Sequence, residues 1–265
     1  MANSVSMKRT LGRSLFTAYL IMFFGYLFLP LLLMVAAAFN APTIPTVLPW
    51  RAFTLDWFRL LFNNALLFEA VINSLVVGIG VVFLAVPIGL AAALLLTRLQ
   101  SRGQPFLYAL LVSPILTPGV ILGISTLIFW RQMGLQGGLV LAVIGQTTFI
   151  ASFSMLIFMA QLQRLDPALE EAALDLGASH LQTYTRIIFP YLKTTFVAAA
   201  FISFLQSFEN YNTTLFVIGA DTTITVTIAS MIRLGLTPEV NALAVVFIVI
   251  TIIAAALYTW LQPDD

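Results

Sequence analysis

The stretch "LEEAALDLGASHLQTYTRIIFPYL", residues 169–192, is the long polar interruption in the second half of an otherwise apolar chain. Just ahead of it Asp166 is a good N-cap, and Pro167 takes the first helical position, where a missing N–H does no harm. Glu170 and Glu171 then fall near the positive end of a short helix, as the helix dipole favours. Leu165, Leu169, Ala172, Ala173 and Leu176 recur at helical spacing as a narrow apolar stripe. Gly177 ends that helix as a residue able to take φ > 0. Ser179, with Gln182 three residues on, forms a capping box for a second helix, which Pro190 is expected to close. Segment 161–193 therefore reads as two short capped helices set at an angle. Two placements fit it: a helix lying on the bilayer, or one docked in a cleft of a soluble protein. A bilayer-lying helix carries lysine and arginine beside large apolar side chains. This one carries acid and alanine, which suits the cleft.

Outward from that segment the chain is apolar in both directions. Of its 265 residues 60% are hydrophobic and 9% charged, against about 25% charged in soluble domains. Such a composition cannot cover a water-facing surface. Six runs have the length of about 20 residues that a helix needs to cross the hydrocarbon core. They are Leu15–Phe39, Ala70–Thr97, Phe106–Phe129, Gly138–Ala160, Thr194–Ile218 and Val240–Leu261. None keeps up the alternation of a barrel strand, so backbone groups in lipid are satisfied inside helices. The expected fold is an all-α membrane protein of six transmembrane helices, forming one domain over residues 1–265 with the loop 161–193 inside it.

Orientation follows the positive charges. With the amino terminus inside, the inner segments hold Lys8, Arg9, Arg13, Arg98, Arg102, Arg164, Arg186 and Lys193, and the outer ones Arg51, Arg59, Arg131 and Arg233. That distribution puts both termini in the cytoplasm, with Trp130, Tyr258 and Trp260 at span ends. The first run could instead be the core of a cleaved signal, since "VAAAF" offers small residues. It is, however, about twice the 7–15 residues usual for such a core, which favours a retained span. Residues 40–69 are then the longest external loop, with Pro42, Pro45, Pro49, Trp50 and Trp57.

Composition also removes most chemistries. There is no cysteine and a single histidine, His180, so thiolate sites, disulfides and paired imidazoles are excluded. A net charge of +1 without a basic, aromatic-rich stripe gives no footprint for nucleic acid. A phosphate-binding GxxxxGK[ST] loop needs a Gly-Lys pair, and the two lysines, Lys8 and Lys193, follow Met7 and Leu192. No ATP or Mg site is expected on this chain.

The fifth run concentrates polar groups. Ser203, Gln206, Asn210 and Thr213 recur at i, i+3, i+7 and i+10 as one polar face of an expected helix, flanked by Ser207 and Thr214. Glu209 is the acidic residue well inside a run, about 22 Å from the cytoplasmic end at 1.5 Å per residue. Two roles fit such a carboxylate: part of a path that meets solute near its outer mouth, or interhelical glue to a neighbouring chain. Asn73 and Ser74 open the second run and Pro87 interrupts it, Ser113, Pro114, Thr117, Pro118 and Gly119 break the third, and Gln146, Thr147 and Thr148 sit in the fourth. All could line the same path, the prolines as kinks or as gates. The external segment "DTTITVTIASMIRLG" reads as a short helix or lid.

Glu171-Ala172-Ala173, then Gly177, then Ile187 and Phe189-Pro190, resemble the "EAA" loop of ABC-importer permeases, with Phe189 where that pattern has leucine. Six spans with this loop between the fourth and fifth resemble the same family over nearly the whole chain. "FTLDWFRLLFNN", "RGQPF" and "MIRLGLTPEVNALA" are similar to its spermidine/putrescine branch. The resemblance implies a type I ABC-importer permease fold in a bacterial inner membrane, carrying a small polar, cationic solute such as a polyamine. It implies a coupling loop of Glu170, Glu171, Ala172, Ala173, Gly177 and Pro190, and a path of Gln206, Glu209, Asn210 and Thr213. It also implies partners: two ATP-binding subunits that hold ATP and Mg, a second homologous permease chain, and a periplasmic or extracellular substrate-binding protein. The rival is an ion-gradient-driven secondary carrier in which Glu209 titrates. Such carriers often show broken helices in related halves, and no internal symmetry is found. An intramembrane enzyme would need clustered acids or imidazoles that the runs lack.

Overall fold

The computed structural model describes residues 2–41, 46–99, 101–235 and 238–261. Pro42 and Pro45 lie outside them, and the side chains of Lys8, Arg9, Tyr258 and Trp260 are likewise outside the described set. The described chain is helical throughout, apart from one isolated antiparallel bridge between Asn40 and Phe53. In order the helices are α1 (Ala2–Ala38), α2 (Asp56–Asn63), α3 (Ala65–Arg98), α4 (Gln104–Leu116), α5 (Gly119–Gln132) and α6 (Leu139–Leu162). Then come α7 (Ala168–Asp175), α8 (His180–Thr183), a π-helical turn (Tyr184–Ile188), α9 (Phe189–Tyr191), α10 (Lys193–Phe208), α11 (Thr214–Val217), α12 (Ile224–Leu234) and α13 (Pro238–Leu261).

Among the described residues three helices are long and apolar enough to cross a membrane: Leu15–Ala38 within α1, α3, and α6. Two bent pairs raise the number to five if each counts as one span. The third span is broken where residues 113–119 were expected to break it, and the fifth, expected as one helix, is corrected. The third is two half-helices, α4 and α5, meeting at 102°. Pro118 has no N–H to continue the ladder, and Thr117 leaves the helix with ψ 129. Its hydroxyl donates to the Ser113 carbonyl at 2.9 Å, satisfying an acceptor freed at the break. The fifth stops at Phe208 rather than Ile218, and it bends by 65° from the helix before it. Pro190 does not close that preceding helix, because the helical path runs through it to Tyr191 and breaks at Leu192. Pro87 likewise sits inside an unbroken α3 rather than interrupting it.

The chain forms two compact units. The first comprises residues 1–65 and 230–265, where α13 packs on α1 and on α2. The loop between α1 and α2 is organised by buried Asn40. The Asn40 Nδ2 donates to the Thr46 carbonyl at 2.9 Å, its Oδ1 accepts from the Arg51 N–H at 3.0 Å, and its carbonyl accepts from Trp57 Nε1 at 2.8 Å. Phe39 stacks on Phe53 and meets Phe58 at a tilt beside this hub.

The second unit, residues 66–229, holds the core. α3 lies against α6 with small residues at the crossing, as lipid-embedded helices that associate by packing require. Val86, Leu90, Ala93 and Leu96 of α3 meet Met155, Phe158 and Leu162 of α6, with Ile188, Leu192 and Ala199 closing the cluster. Gly89 makes the approach possible: a Cβ there would sit 2.4 Å from Ser154 Cβ and 2.7 Å from the Met155 nitrogen. Buried hydroxyls tie α6 to its other neighbours, α10 and α4. Ser154 and Ser203 hydroxyls lie 3.2 Å apart, and Ser152 Oγ donates to the Leu111 carbonyl at 2.6 Å.

Candidate functional site

Two places in the second unit collect the candidate residues. The first is the polar segment after α6. The Asp166 carboxylate accepts from the Ala168 N–H at 3.0 Å and so caps α7 one position after Pro167 enters the helix. At the other end Gly177 takes φ +85. Its N–H donates to the Leu174 carbonyl and that of Ala178 to Ala173, the paired bonds of a Schellman turn. Ser179 and Gln182 then form a complete capping box for α8. Two rigid ends thus hold an eight-residue helix that buries none of its own side chains.

The faces of α7 differ from the single stripe read in the sequence. Leu165 is buried in the core, while Leu169, Ala172 and Leu176 turn outward. Leu176 is 89% exposed and Leu181, at the start of α8, 72%. Two large apolar side chains standing free beside exposed Glu171 make a projecting knob, and Leu181 is a member the sequence reading missed. Its neighbour His180 and the capping box gave the only local signal. Glu170 does not join the knob: its carboxylate pairs with the Arg98 guanidinium at the end of α3. Ala173 is half-buried beneath it, and Pro190 lies on an exposed stretch of α9.

The second place is a cavity of about 270 Å³ lined by Pro114, Ile115, Thr117, Gly119, Leu122, Phe149, Phe153, Gln206, Asn210, Asn212 and Thr213. It opens where α4 and α5 part and where α10 ends. Gln206, Asn210 and Thr213 share this space, but not as one helical face. Glu209 is the C-cap of α10, and Asn210 begins a new turn. The Asn210 Oδ1 accepts from the N–H groups of Thr213 and Thr214, both at 3.2 Å, and from Thr214 Oγ1 at 3.0 Å. With its oxygen so engaged, the Asn210 amide is oriented, and its Nδ2 has no partner among the described residues. Gln206 makes no hydrogen bond to another described residue. Thr213 Oγ1 donates to the Gly119 carbonyl at 3.2 Å, stitching the two broken spans together.

Behind the cavity wall runs a buried polar chain. Ser207 Oγ donates to Gln146 Oε1, and Gln146 Nε2 donates to Thr214 Oγ1 at 2.7 Å. The remaining sequence candidates go elsewhere. Ser203 faces Ser154 of α6, and Thr147 and Thr148 hydroxyls bond carbonyls of their own helix. Asn73 Nδ2 donates to the Thr222 carbonyl and Ser74 Oγ accepts from the Ile224 N–H, so both hold the segment leading into α12. Glu209 does not line the cavity; its side chain is exposed one residue from Asn210. No charged residue lines the cavity, whose walls are amides, a hydroxyl or two, and the rings of Phe149 and Phe153.

Comparison with known proteins resolves what kind of molecule carries these features. A family model described as the binding-protein-dependent transport system inner membrane component matches residues 85–264. The spermidine/putrescine transport system permease protein PotC of Escherichia coli (strain K12) is 30% identical over 244 residues, covering 92% of each chain. The putrescine transport system permease protein PotI of the same strain is 28% identical over 233 residues, covering 85% of this chain and 82% of its own. Among solved structures, a chain of a bacterial ABC transporter involved in the import of the acidic polysaccharide alginate superposes with a TM-score of 0.70 at 20% identity. That match covers 99% of this chain and 100% of the other. A chain of the MetNI methionine ABC transporter gives 0.57 at 20% identity, covering 78% and 95%. At such identities the structures speak for the fold alone. Family match and relatives together disfavour a free-standing ion-gradient carrier: the chain belongs to the binding-protein-dependent inner membrane transport components, as a permease subunit of an ABC importer and not an enzyme.

Proposed function

We propose that this chain is one half of the membrane pore of a polyamine-type importer, crossing a bacterial inner membrane six times with both termini in the cytoplasm. The six crossings are α1, α3, the α4–α5 pair, α6, the bent run ending in α10, and α13. The excess of arginine and lysine in the inner segments supports that orientation. The partners are a second permease chain, two ATP-binding subunits that hold ATP and Mg, and an external binding protein that delivers solute.

The observation that carries the reading is the projecting, doubly capped α7, with Glu171 and Leu176 facing away from the chain's own core. A helix with no fully buried residue that ends in a fixed turn is shaped to be held by another protein. When ATP draws two ATPases together, the clefts carry such helices with them, and the attached spans exchange one packed arrangement for another. Glu171, Ala172, Leu176 and Gly177 are the contact; Ala173 and Pro190 shape the segment around it.

Solute passes the cavity at the broken spans. Gln206 and the Asn210 amide offer hydrogen bonds, Phe149 and Phe153 offer ring faces to a cation, and Glu209 supplies negative charge next to the entrance. The names of the relatives PotC and PotI, with spermidine and putrescine in them, favour an organic polycation. The test is ATP hydrolysis by the reconstituted complex with its binding protein. Spermidine or putrescine should stimulate it, and uptake should require ATP. Stimulation by neither amine removes the polyamine assignment, and uptake that survives ATP depletion but collapses with the proton gradient removes the importer mechanism.

A further inference from the structure

Arg98 is the last residue of α3, and its pair with Glu170 is the only ion pair among the described residues. What the pair joins gives it its meaning. The caps of α7 are local: they fix the backbone of the segment, but each lies within a few residues of the helix it caps. Among the described residues no other side chain of α7 makes a hydrogen bond or ion pair, and none is buried. The lateral tie from this helix to the rest of the unit is therefore the Glu170 carboxylate on the Arg98 guanidinium. The far end of the tie is firmly anchored. Ala93 and Leu96, the last core positions of α3 before Arg98, are fully buried in the cluster with Phe158, Leu162, Ile188 and Leu192.

We infer that Arg98 is a positioning residue of the coupling apparatus, which through Glu170 makes the partner-facing helix move with α3 as well as with its neighbours in sequence. The inference rests on the reading that α7 engages an ATPase. It divides labour between two adjacent acids: Glu171 faces outward to the partner, whereas Glu170 turns inward to the second span. Stability is only part of what the pair supplies. Arg98 is 41% exposed, so water screens its side of the attraction, although the Glu170 carboxylate is only 14% exposed. Glu170 would also be content without it, since it already sits in the first turn of a helix. Its value is directional. A cleft that pushes α7 without this tie can tilt the helix about its two capped ends. With the tie, the same push is delivered to the packed end of α3 and through it to the α3–α6 core.

The test uses the whole transporter in proteoliposomes: this chain, its second permease chain, the ATPases and the binding protein. Labelled spermidine uptake and ATP hydrolysis are measured in one preparation. Arg98→Glu and Glu170→Arg should each lower the amount of spermidine moved per ATP roughly 2- to 30-fold, the span of effects seen when coupling links are cut. Complex assembly and melting temperature should stay as in the parent. The double reversal should recover most of the loss, which a merely structural lesion would not. A parent-like ratio in both singles, or a double variant no better than the worse single, overturns the inference. Should a reversal prevent assembly, Arg98→Gln and Glu170→Gln are held to the same criterion. Glu171→Lys separates the two levels of argument. If it transports normally, the docking of α7 on an ATPase is wrong. If it uncouples while the Arg98 series stays parent-like, only the tie is wrong.

Discussion

Gly177 offers a test in which torsion and size can be told apart. It holds φ +85, and a Cβ built on it would meet nothing within 4 Å. Space therefore tolerates any side chain, and the penalty for replacing glycine is conformational alone. An L-residue in the left-handed region costs roughly 1–2 kcal/mol, asparagine least and β-branched residues most. α7 has no buried side chain whose packing could absorb that cost. A penalty of about 1–2 kcal/mol therefore passes to the turn population, lowering it some 5- to 30-fold. Gly177→Asn should keep binding-protein-stimulated ATP hydrolysis and uptake near the parent. Gly177→Ala should lose several-fold, and Gly177→Val should lose an order of magnitude or more, with the complex still assembled in detergent. Asparagine is larger than alanine, so the expected order runs against volume. If the losses instead follow side-chain size, the torsional argument fails. Full uptake in Gly177→Val would remove the requirement for a fixed turn altogether.

Three further outcomes follow from other parts of the chain. Gly89→Ala places a methyl 2.4 Å from Ser154 Cβ and against the Met155 backbone. It should destabilise the α3–α6 crossing by about 1–3 kcal/mol, read as a lower melting temperature in detergent. Gln146→Leu removes both hydrogen bonds of the Ser207–Gln146–Thr214 chain and should cost about 0.6–2 kcal/mol by the same measurement, the range for hydrogen bonds between membrane helices. Unchanged melting would show that the freed hydroxyls find new partners. Glu209→Gln should raise the spermidine concentration needed for half-maximal uptake while leaving the complex intact, because the carboxylate is exposed beside the cavity rather than bonded into the core. Loss of the second permease chain on purification would instead assign Glu209 to subunit contact.

What could be read from the sequence and what could not divide along a physical line. Hydropathy located the apolar runs because the bilayer selects for apolar length, and it counts residues without knowing their direction. The caps were equally legible. Asp166, Gly177, Ser179 and Gln182 act on backbone groups within four residues of themselves, so their chemistry is complete in the local sequence. The geometry of the two breaks was not. "SPILTPG" announced that α4 could not continue through Pro118, but not that α5 would leave at 102°. That angle depends on partners far along the chain: Gly119 receives the Thr213 hydroxyl, and Gly123 lies so close to Thr213 that a Cβ would stand 2.7 Å from its carbonyl oxygen. The polar face of the fifth run failed for a related reason. Spacing alone extended one helix from Ser203 to Thr213, whereas "ENYNTT" also contains an asparagine three and four residues ahead of the N–H groups it captures. Periodicity and capping competed over the same residues, and capping won because the break lets Asn210 Oδ1 take three hydrogen bonds. The two broken helices then form a single feature. The start of α5 takes a hydrogen bond from the other break, and the gap left between them is the cavity where Gln206, Asn210 and Thr213 meet.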